Sequence, residues 1–300
     1  MAENLNETPH KSGFVNILGN PNVGKSTIMN ELVGERLSII TSKAQTTRHR
    51  IMGIVNGEDF QIIYSDTPGI IKPIYKLHES MMKYVHKAVS DADILMYVAE
   101  FGEDPGNRHE YLEKIGKLSI PVLLLINKID LGTQEALEFK VSKWQEVLPA
   151  AVIIPVSAKE KFNISAVFDK ILELLPESPP FYPKDTLTDR SERFFASEII
   201  REKILLNYQK EIPYSSEIEI EEFVENEDII RIRAIIHVIR ETQKGIIIGK
   251  KGAALKKTGT EARINMEDFF GKKVFLEMYV KVNKDWRSKD QQLRRFGYTK

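Results

Sequence analysis

Residues 19–26 read Gly-Asn-Pro-Asn-Val-Gly-Lys-Ser, matching G-x-x-x-x-G-K-[ST] in full. Phe14–Leu18 before them is apolar, and Thr27–Leu32 after them reads as a helix. A strand, a glycine loop and a helix in that order make a phosphate cradle. Backbone N–H groups and the positive end of the helix converge on one point. Gly19 and Gly24 permit the turns, and Asn20, Pro21, Asn22 and Val23 form the loop between them. Lys25 is a point charge for the outer phosphates, Ser26 a hydroxyl for Mg²⁺, and Thr27 carries the chain into the helix.

The surrounding sequence agrees with an α/β fold. Apolar runs at 15–18, 61–65, 94–99, 122–126 and 152–156 alternate with helical periodicity, as at 78–90 and 133–147. Such alternation predicts a mostly parallel sheet covered by helices. The runs 51–56 and 60–64 meet across Gly57-Glu58-Asp59, which predicts one antiparallel edge strand. Four prolines between Pro176 and Pro183 rule out a continuing helix and suggest an extended tether. Beyond them the order becomes helix, strand, strand, helix, GxxG, helix, strand, an α+β pattern. The expected divisions are a flexible N-terminus (1–12), a nucleotide-binding domain (13–176), a proline-rich linker (177–190) and a second domain (191–300).

Two more motifs follow apolar strands. Asp66-Thr67-Pro68-Gly69 puts a carboxylate at a strand's C-terminal end, facing the ligand crevice of an α/β sheet. Asp66 can hold Mg²⁺ there, and Gly69 leaves its backbone N–H open to the γ-phosphate. Asn127-Lys128-Ile129-Asp130 offers a carboxylate that accepts from the N1–H and 2-amino group of guanine. Adenine offers neither and would leave Asp130 unpaired. Ser157-Ala158-Lys159 can present a backbone N–H to guanine O6. The ordered set selects GTP over ATP.

This set resembles the translation-factor-like GTPases over residues 13–175. That resemblance implies a threonine that contacts Mg²⁺ and γ-phosphate only in the GTP state. The matching segment is Ala44-Gln45-Thr46-Thr47-Arg48, where family spacing selects Thr47, with Thr46 as the alternative. Lys25, Thr47 and Gly69 are then the catalytic candidates. Many relatives place a water-orienting glutamine directly after the DxxG glycine. Ile70 stands there instead and cannot orient water. Asn22 matches an asparagine that helps some relatives hold K⁺, so a slow, K⁺-stimulated GTPase is expected.

The neutral whole-chain charge conceals a basic end. Residues 231–300 hold 18 Lys and Arg against 7 Asp and Glu, a surface suited to polyanions. Within it, Gly249-Lys250-Lys251-Gly252 lies between helical segments. This resembles the GxxG loop of prokaryotic-type (type II) KH domains, which clamps the backbone of single-stranded nucleic acid. Gly249 and Gly252 would admit the strand, and Lys250 and Lys251 would meet phosphates. Ile246 and Ile248 either line a groove for bases or serve as core. Trp286 reads better as a buried cap than as a stacking platform.

A P-loop GTPase joined to a C-terminal KH domain resembles the Era family, as do Phe194–Lys203 and the segments Tyr279–Arg287 and Phe296–Tyr298. That resemblance implies a switch that binds the 3′ end of small-subunit ribosomal RNA and acts in maturation of the small (30S) subunit. It also implies Mg²⁺, a monomer, and peripheral association with the inner face of the plasma membrane. The alternative is a constitutive RNA-binding module in which nucleotide is structural. The chain has no cysteine, which excludes disulfides and thiolate chemistry. It shows no secretory signal, and no run approaches the roughly 18 apolar residues of a spanning helix. A cytoplasmic protein is expected.

Overall fold

The computed structural model of the protein describes residues 9–299. The chain forms two compact units. One holds everything described up to Ser38 together with Thr47–Ile71 and Met82–Asp189; the other holds Ile39–Thr46, Lys72–Met81 and the chain from Arg190 onward.

In chain order the first elements are β1 (Lys11–Gly19), α1 (Lys25–Val33), β2 (Ile51–Asn56), β3 (Phe60–Asp66), α2 (Lys76–Ser90), β4 (Ile94–Glu100), α3 (His109–Gly116), β5 (Val122–Asn127), α4 (Gln134–Val147), β6 (Val152–Pro155) and α5 (Ile164–Leu174). The six strands form one sheet in the order β2-β3-β1-β4-β5-β6. Every pair is parallel except β2–β3, the expected antiparallel edge. The central strands are buried along almost their whole length, which explains their continuous rather than alternating apolar runs. Leu95, Tyr97, Leu124 and Ile126 pack with Val85, Leu112 and Trp144 from the covering helices. This core holds the C-terminal ends of the strands, and hence the loops that follow them, in fixed positions.

Of the expected flexible N-terminus (1–12), residues 1–8 lie outside the described residues. Its last part differs from expectation. Lys11 and Ser12 open β1, and His10 Nδ1 hydrogen-bonds the Ser178 carbonyl at 2.9 Å. The proline-rich stretch continues no helix, and it is not a free tether. Gln61 Oε1 accepts from Phe181 and Tyr182 N–H at 2.7 and 2.9 Å. Lys184 Nζ donates to the Gly57 carbonyl at 2.6 Å. Ile54 N–H donates to Leu187 O at 2.8 Å, and the Thr188 hydroxyl to Met52 O at 2.7 Å. Residues 176–189 thus form a strap along the β2 side of the sheet.

The second unit contains α6 (Glu192–Asn207), α7 (Ile212–Ser215), β7 (Glu217–Glu225), β8 (Ile229–Val238), α8 (Glu241–Ile248), α9 (Ala253–Phe270), β9 (Lys273–Val282) and α10 (Asp290–Arg295). Its sheet has the order β7-β8-β9, with β7–β8 antiparallel and β8–β9 parallel. Ile230, Ile232, Ala234, Ile236 and Val238, every second residue of β8, face Ile200, Ile204, Ile247, Ala262 and Met266 of the helices. The short helices α7 and α10 are additions to the expected pattern. Trp286 is fully buried and donates from Nε1 to Ser215 O at 3.0 Å. Tyr298 donates its hydroxyl to Glu217 Oε2 at 2.7 Å.

Residues 39–46 pack within this second unit. The Lys43 ammonium donates to the carbonyls of Leu205 and Tyr208 at the end of α6. Arg201, on α6, donates to the Thr46 carbonyl and pairs with Glu198. Among the described residues no helix is long and apolar enough to cross a membrane.

Candidate nucleotide and nucleic-acid sites

The loop between β1 and α1 has the backbone that its glycines predict. Gly24 has φ +100°, and a Cβ there would lie 2.2 Å from Asn127 Nδ2. Only glycine lets the loop touch the Asn127 side chain. That amide ties two motifs together, because Asn127 Nδ2 donates to Val23 O at 2.8 Å and Asn127 Oδ1 accepts from Ala158 N–H at 3.0 Å. Lys25 Nζ curls onto the carbonyls of Gly19 and Asn20, at 3.2 and 2.8 Å. Asn20 also bonds Glu103 at 2.6 Å, and Asn22 is exposed with φ +64°.

Three oxygens expected around Mg²⁺ meet in the structure. The Ser26 hydroxyl donates to Asp66 Oδ2 at 2.7 Å, and Thr47 Oγ1 donates to the same oxygen at 3.1 Å. The two hydroxyls lie 3.0 Å apart. Asp66 is fully buried, and its Oδ1 makes no hydrogen bond. Burial pushes its carboxyl above the ordinary range, although the Lys25 charge and the hydroxyls of Ser26, Ser38 and Thr47 pull it down. A buried carboxylate with an orphaned oxygen beside two hydroxyls fits a hard divalent cation, which would reverse the burial penalty. Thr46 stands differently. Its hydroxyl bonds Thr41 Oγ1 at 2.7 Å and Lys43 O at 2.6 Å, so of the two threonines only Thr47 reaches Asp66.

The Asp66-Thr67-Pro68-Gly69 loop runs against the phosphate loop. A Cβ on Gly69 would lie 2.7 Å from the Pro21 backbone nitrogen, so the glycine is needed for close approach. Thr67 is buried and donates to Ile17 O at 2.7 Å. Ile70 points elsewhere. Its side chain packs in the core beside Leu18 and Val85, and its N–H bonds Gly19 O at 3.1 Å. The structure therefore keeps Ile70 out of the set that converges on the site.

At the base end, Ser157 Oγ donates to Asp130 Oδ1 at 2.6 Å, leaving the exposed carboxylate aimed by a neighbouring loop. Lys128 has φ +63°, and its ammonium pairs with Glu100 at 2.6 Å. Lys159 is exposed and pairs with Glu160.

In the second unit the Gly249–Gly252 loop joins α8 to α9. Gly249, Lys251 and Gly252 have φ +71°, +51° and +79°, and Lys250 and Lys251 between the two glycines are exposed. Ile246 is half exposed, whereas Ile248 packs against the core. Of the two candidates only Ile246 is free to line a groove. Beside the loop runs a groove of about 440 Å³ lined by Leu255, Lys256, Thr260, Arg263, Phe275 and Met278, among others. Gly259 leaves room for the Met278 methyl, 2.6 Å from where a Cβ would sit. Sequence reasoning missed Arg263, Phe275 and Met278. Their only signal was an apolar or basic residue in α9 or β9, of which Phe275 alone is exposed.

Comparison with known proteins gives a consistent result. Residues 14–128 match the family model of the 50S ribosome-binding GTPases, and residues 211–287 match that of the KH domain. GTPase Era of Staphylococcus haemolyticus is 44% identical over 97% of this chain and 98% of its own length. The Staphylococcus epidermidis protein of the same name is 43% identical with the same coverage. Two crystal structures each superpose with a TM-score of 0.92 at 38% identity, covering 97% of this chain and all of theirs. One is Era with MgGDPNP and nucleotides 1506–1542 of 16S ribosomal RNA, and the other is an Aquifex aeolicus Era variant bound to GDP and AlF₄⁻.

Proposed function

This chain belongs to the Era family of GTPases, and from that premise we propose a GTP-gated switch that binds the 3′ end of small-subunit ribosomal RNA during assembly of the small ribosomal subunit. The observation that carries the proposal is the convergence of Ser26, Thr47 and Asp66 at 2.7–3.1 Å. A chain that used nucleotide only as a structural filler would not need a loop threonine at that position.

The residues have separate tasks. Gly19–Thr27 wrap the phosphates with backbone N–H groups, and Lys25 leaves its carbonyl partners for the β- and γ-phosphates. Ser26, Thr47 and Asp66 would hold Mg²⁺, which supplies charge neutralisation on the phosphate oxygens. Gly69 N–H reads the γ-phosphate. Asp130, aimed by Ser157, selects guanine, and a backbone N–H of the Ser157–Lys159 loop serves the O6 edge, with Ala158 N–H held by Asn127 Oδ1. With Ile70 in the core, no side chain directly after Gly69 orients water. K⁺ held with help from Asn22 is our reading of how hydrolysis proceeds, and equal rates in Na⁺ and K⁺ buffers would sink it. In the second unit, Gly249, Lys250, Lys251 and Gly252 hold the RNA backbone while Ile246 and the groove with Arg263 and Phe275 meet bases. A cytoplasmic monomer with peripheral membrane association completes the reading. It rests on the family resemblance, and sedimentation and membrane fractionation of the native protein test it.

The experiment is binding to a short single strand matching the 3′ end of small-subunit ribosomal RNA. It is run with GDP and with a non-hydrolysable GTP analogue across a salt series. Tighter binding with the analogue, preference over a scrambled strand, and loss in Gly252→Asp are expected. Equal affinity in both nucleotide states favours the constitutive RNA-binding module, because a ligand shifts an equilibrium only through differential affinity.

A further inference from the structure

Arg50 stands three residues after Thr47, immediately before the chain enters β2. Its side chain is 6% exposed. The guanidinium donates to three different elements: from Nε to Ser65 Oγ on β3 at 2.5 Å, from Nη1 to Asp91 Oδ2 beyond α2 at 2.6 Å, and from Nη2 to Asn16 Oδ1 on β1 at 3.0 Å. Asn16 closes the network. Its Nδ2 donates to Asp91 Oδ1 at 2.8 Å and to the Ala88 carbonyl at 2.7 Å. Asn16 and Ser65 are fully buried and face each other in the β1–β3 register.

Nothing in the nucleotide chemistry uses this cluster. Nor does stability demand it, since a buried ion pair gains little over well-packed apolar groups. What it supplies is one fixed geometry. Ser65 is the residue next to Asp66, and successive residues of a strand point to opposite faces. Behind the sheet Arg50 grips Ser65, and on the ligand side Thr47 meets Asp66. A slip of the Thr47 loop relative to β3 would have to break the planar guanidinium fork, which holds its partners in set directions. The same fork ties down the end of α2, the helix that follows the Asp66–Gly69 loop.

We propose that Arg50 is a positioning residue for Thr47, clamping from behind the sheet the point at which the threonine loop rejoins β2. This rests on the reading of Thr47 as the residue that senses the GTP state. Arg50 acts only through Thr47, so its loss is felt where Thr47 is engaged.

The test measures affinity of the full chain for a non-hydrolysable GTP analogue and for GDP, both with Mg²⁺. In Arg50→Met the analogue is expected to bind about tenfold more weakly, with GDP affinity within about twofold of the parent. Arg50→Lys is expected to restore part of the difference, and Asp91→Asn to give a smaller loss of the same sign. In a Thr47→Ala background, Arg50→Met is expected to add nothing further, because groups that act as a unit are not additive. Equal weakening of both nucleotides, or losses that add in the double variant, would overturn the proposal and leave Arg50 a structural ion pair. If Arg50→Met does not fold, Asp91→Asn, whose side chain is partly exposed, decides on the same two measures. If Thr47→Ala alone leaves the analogue-to-GDP ratio unchanged, the threonine reading fails and takes this inference with it. An intact Thr47 effect with no Arg50 effect defeats this inference alone.

Discussion

Thr46 and Thr47 have the same side chain and opposite fates. One hydroxyl closes a local turn with Thr41 and Lys43, and the other reaches Asp66. Family spacing selects Thr47, but the residues alone cannot, because the choice depends on which peptide faces β3. Ile70 shows the reverse case. Its identity alone excluded it from orienting water, and its burial in the core agrees. His237 was invisible in sequence, a histidine within an apolar strand. It is buried against Phe296, with Nε2 on Glu219 Oε2 at 2.8 Å. Burial holds its imidazole below the ordinary range, against the pull of Glu219; the Arg295 and Lys281 charges push the same way as burial. An unfolded histidine takes a proton near pH 6.5 and the folded one does not, so stability must fall as pH drops below about 6.5. Burial of Glu219 would raise its carboxyl, but His237 and Arg295 outweigh it and hold it low, adding a second loss at more acid pH. The melting temperature should therefore decline from pH 7 to 5. His237→Gln, which can still donate to Glu219, should flatten that decline and spare the one at more acid pH.

At the scale of elements, α6 explains why Phe194–Lys203 stood out as a family signature. A helix with one apolar stripe needs only that stripe, yet Glu198, Arg201, Glu202 and Lys203 are all buried here. Arg201 and Glu198 form an ion pair that also holds the Thr46 carbonyl, while Lys43 satisfies carbonyls at the helix end that have no partner within the helix. Removing one member strands the other. Arg201→Ala should cost about 3–5 kcal/mol, the penalty for an uncompensated buried charge, and chemical denaturation would show it. A loss under about 1 kcal/mol, typical of an exposed pair, would refute that account. Strands and long helices were legible because apolar period and glycine loops mark them. The helices α7 and α10 were not, since four and six residues are too short for a period to show. The Arg50 cluster was equally hidden, its members being 75 residues apart between Asn16 and Asp91.

For the molecule as a whole, the four motifs of the nucleotide site could be read from the sequence because each sits where a parallel strand ends, and the fold brings all such ends to one edge of the sheet. The proline stretch could be read only in part. Composition says that prolines keep a chain extended, but not what an extended chain lies beside. Here it lies along β2, one of the two outer strands of the six. An uncovered outer strand is a template for other chains. A chain ended at residue 176 should self-associate on concentration, while one ended at residue 190 should stay monodisperse by light scattering. Identical behaviour of the two would show that the strap protects nothing. There is a further consequence in the order of synthesis. When Leu175 leaves the ribosome, every strand of the sheet has been made but one flank is still bare. The next fourteen residues close it before the chain from Arg190 onward has begun to emerge, so the growing chain passes its most vulnerable moment in about the time needed to add a few prolines.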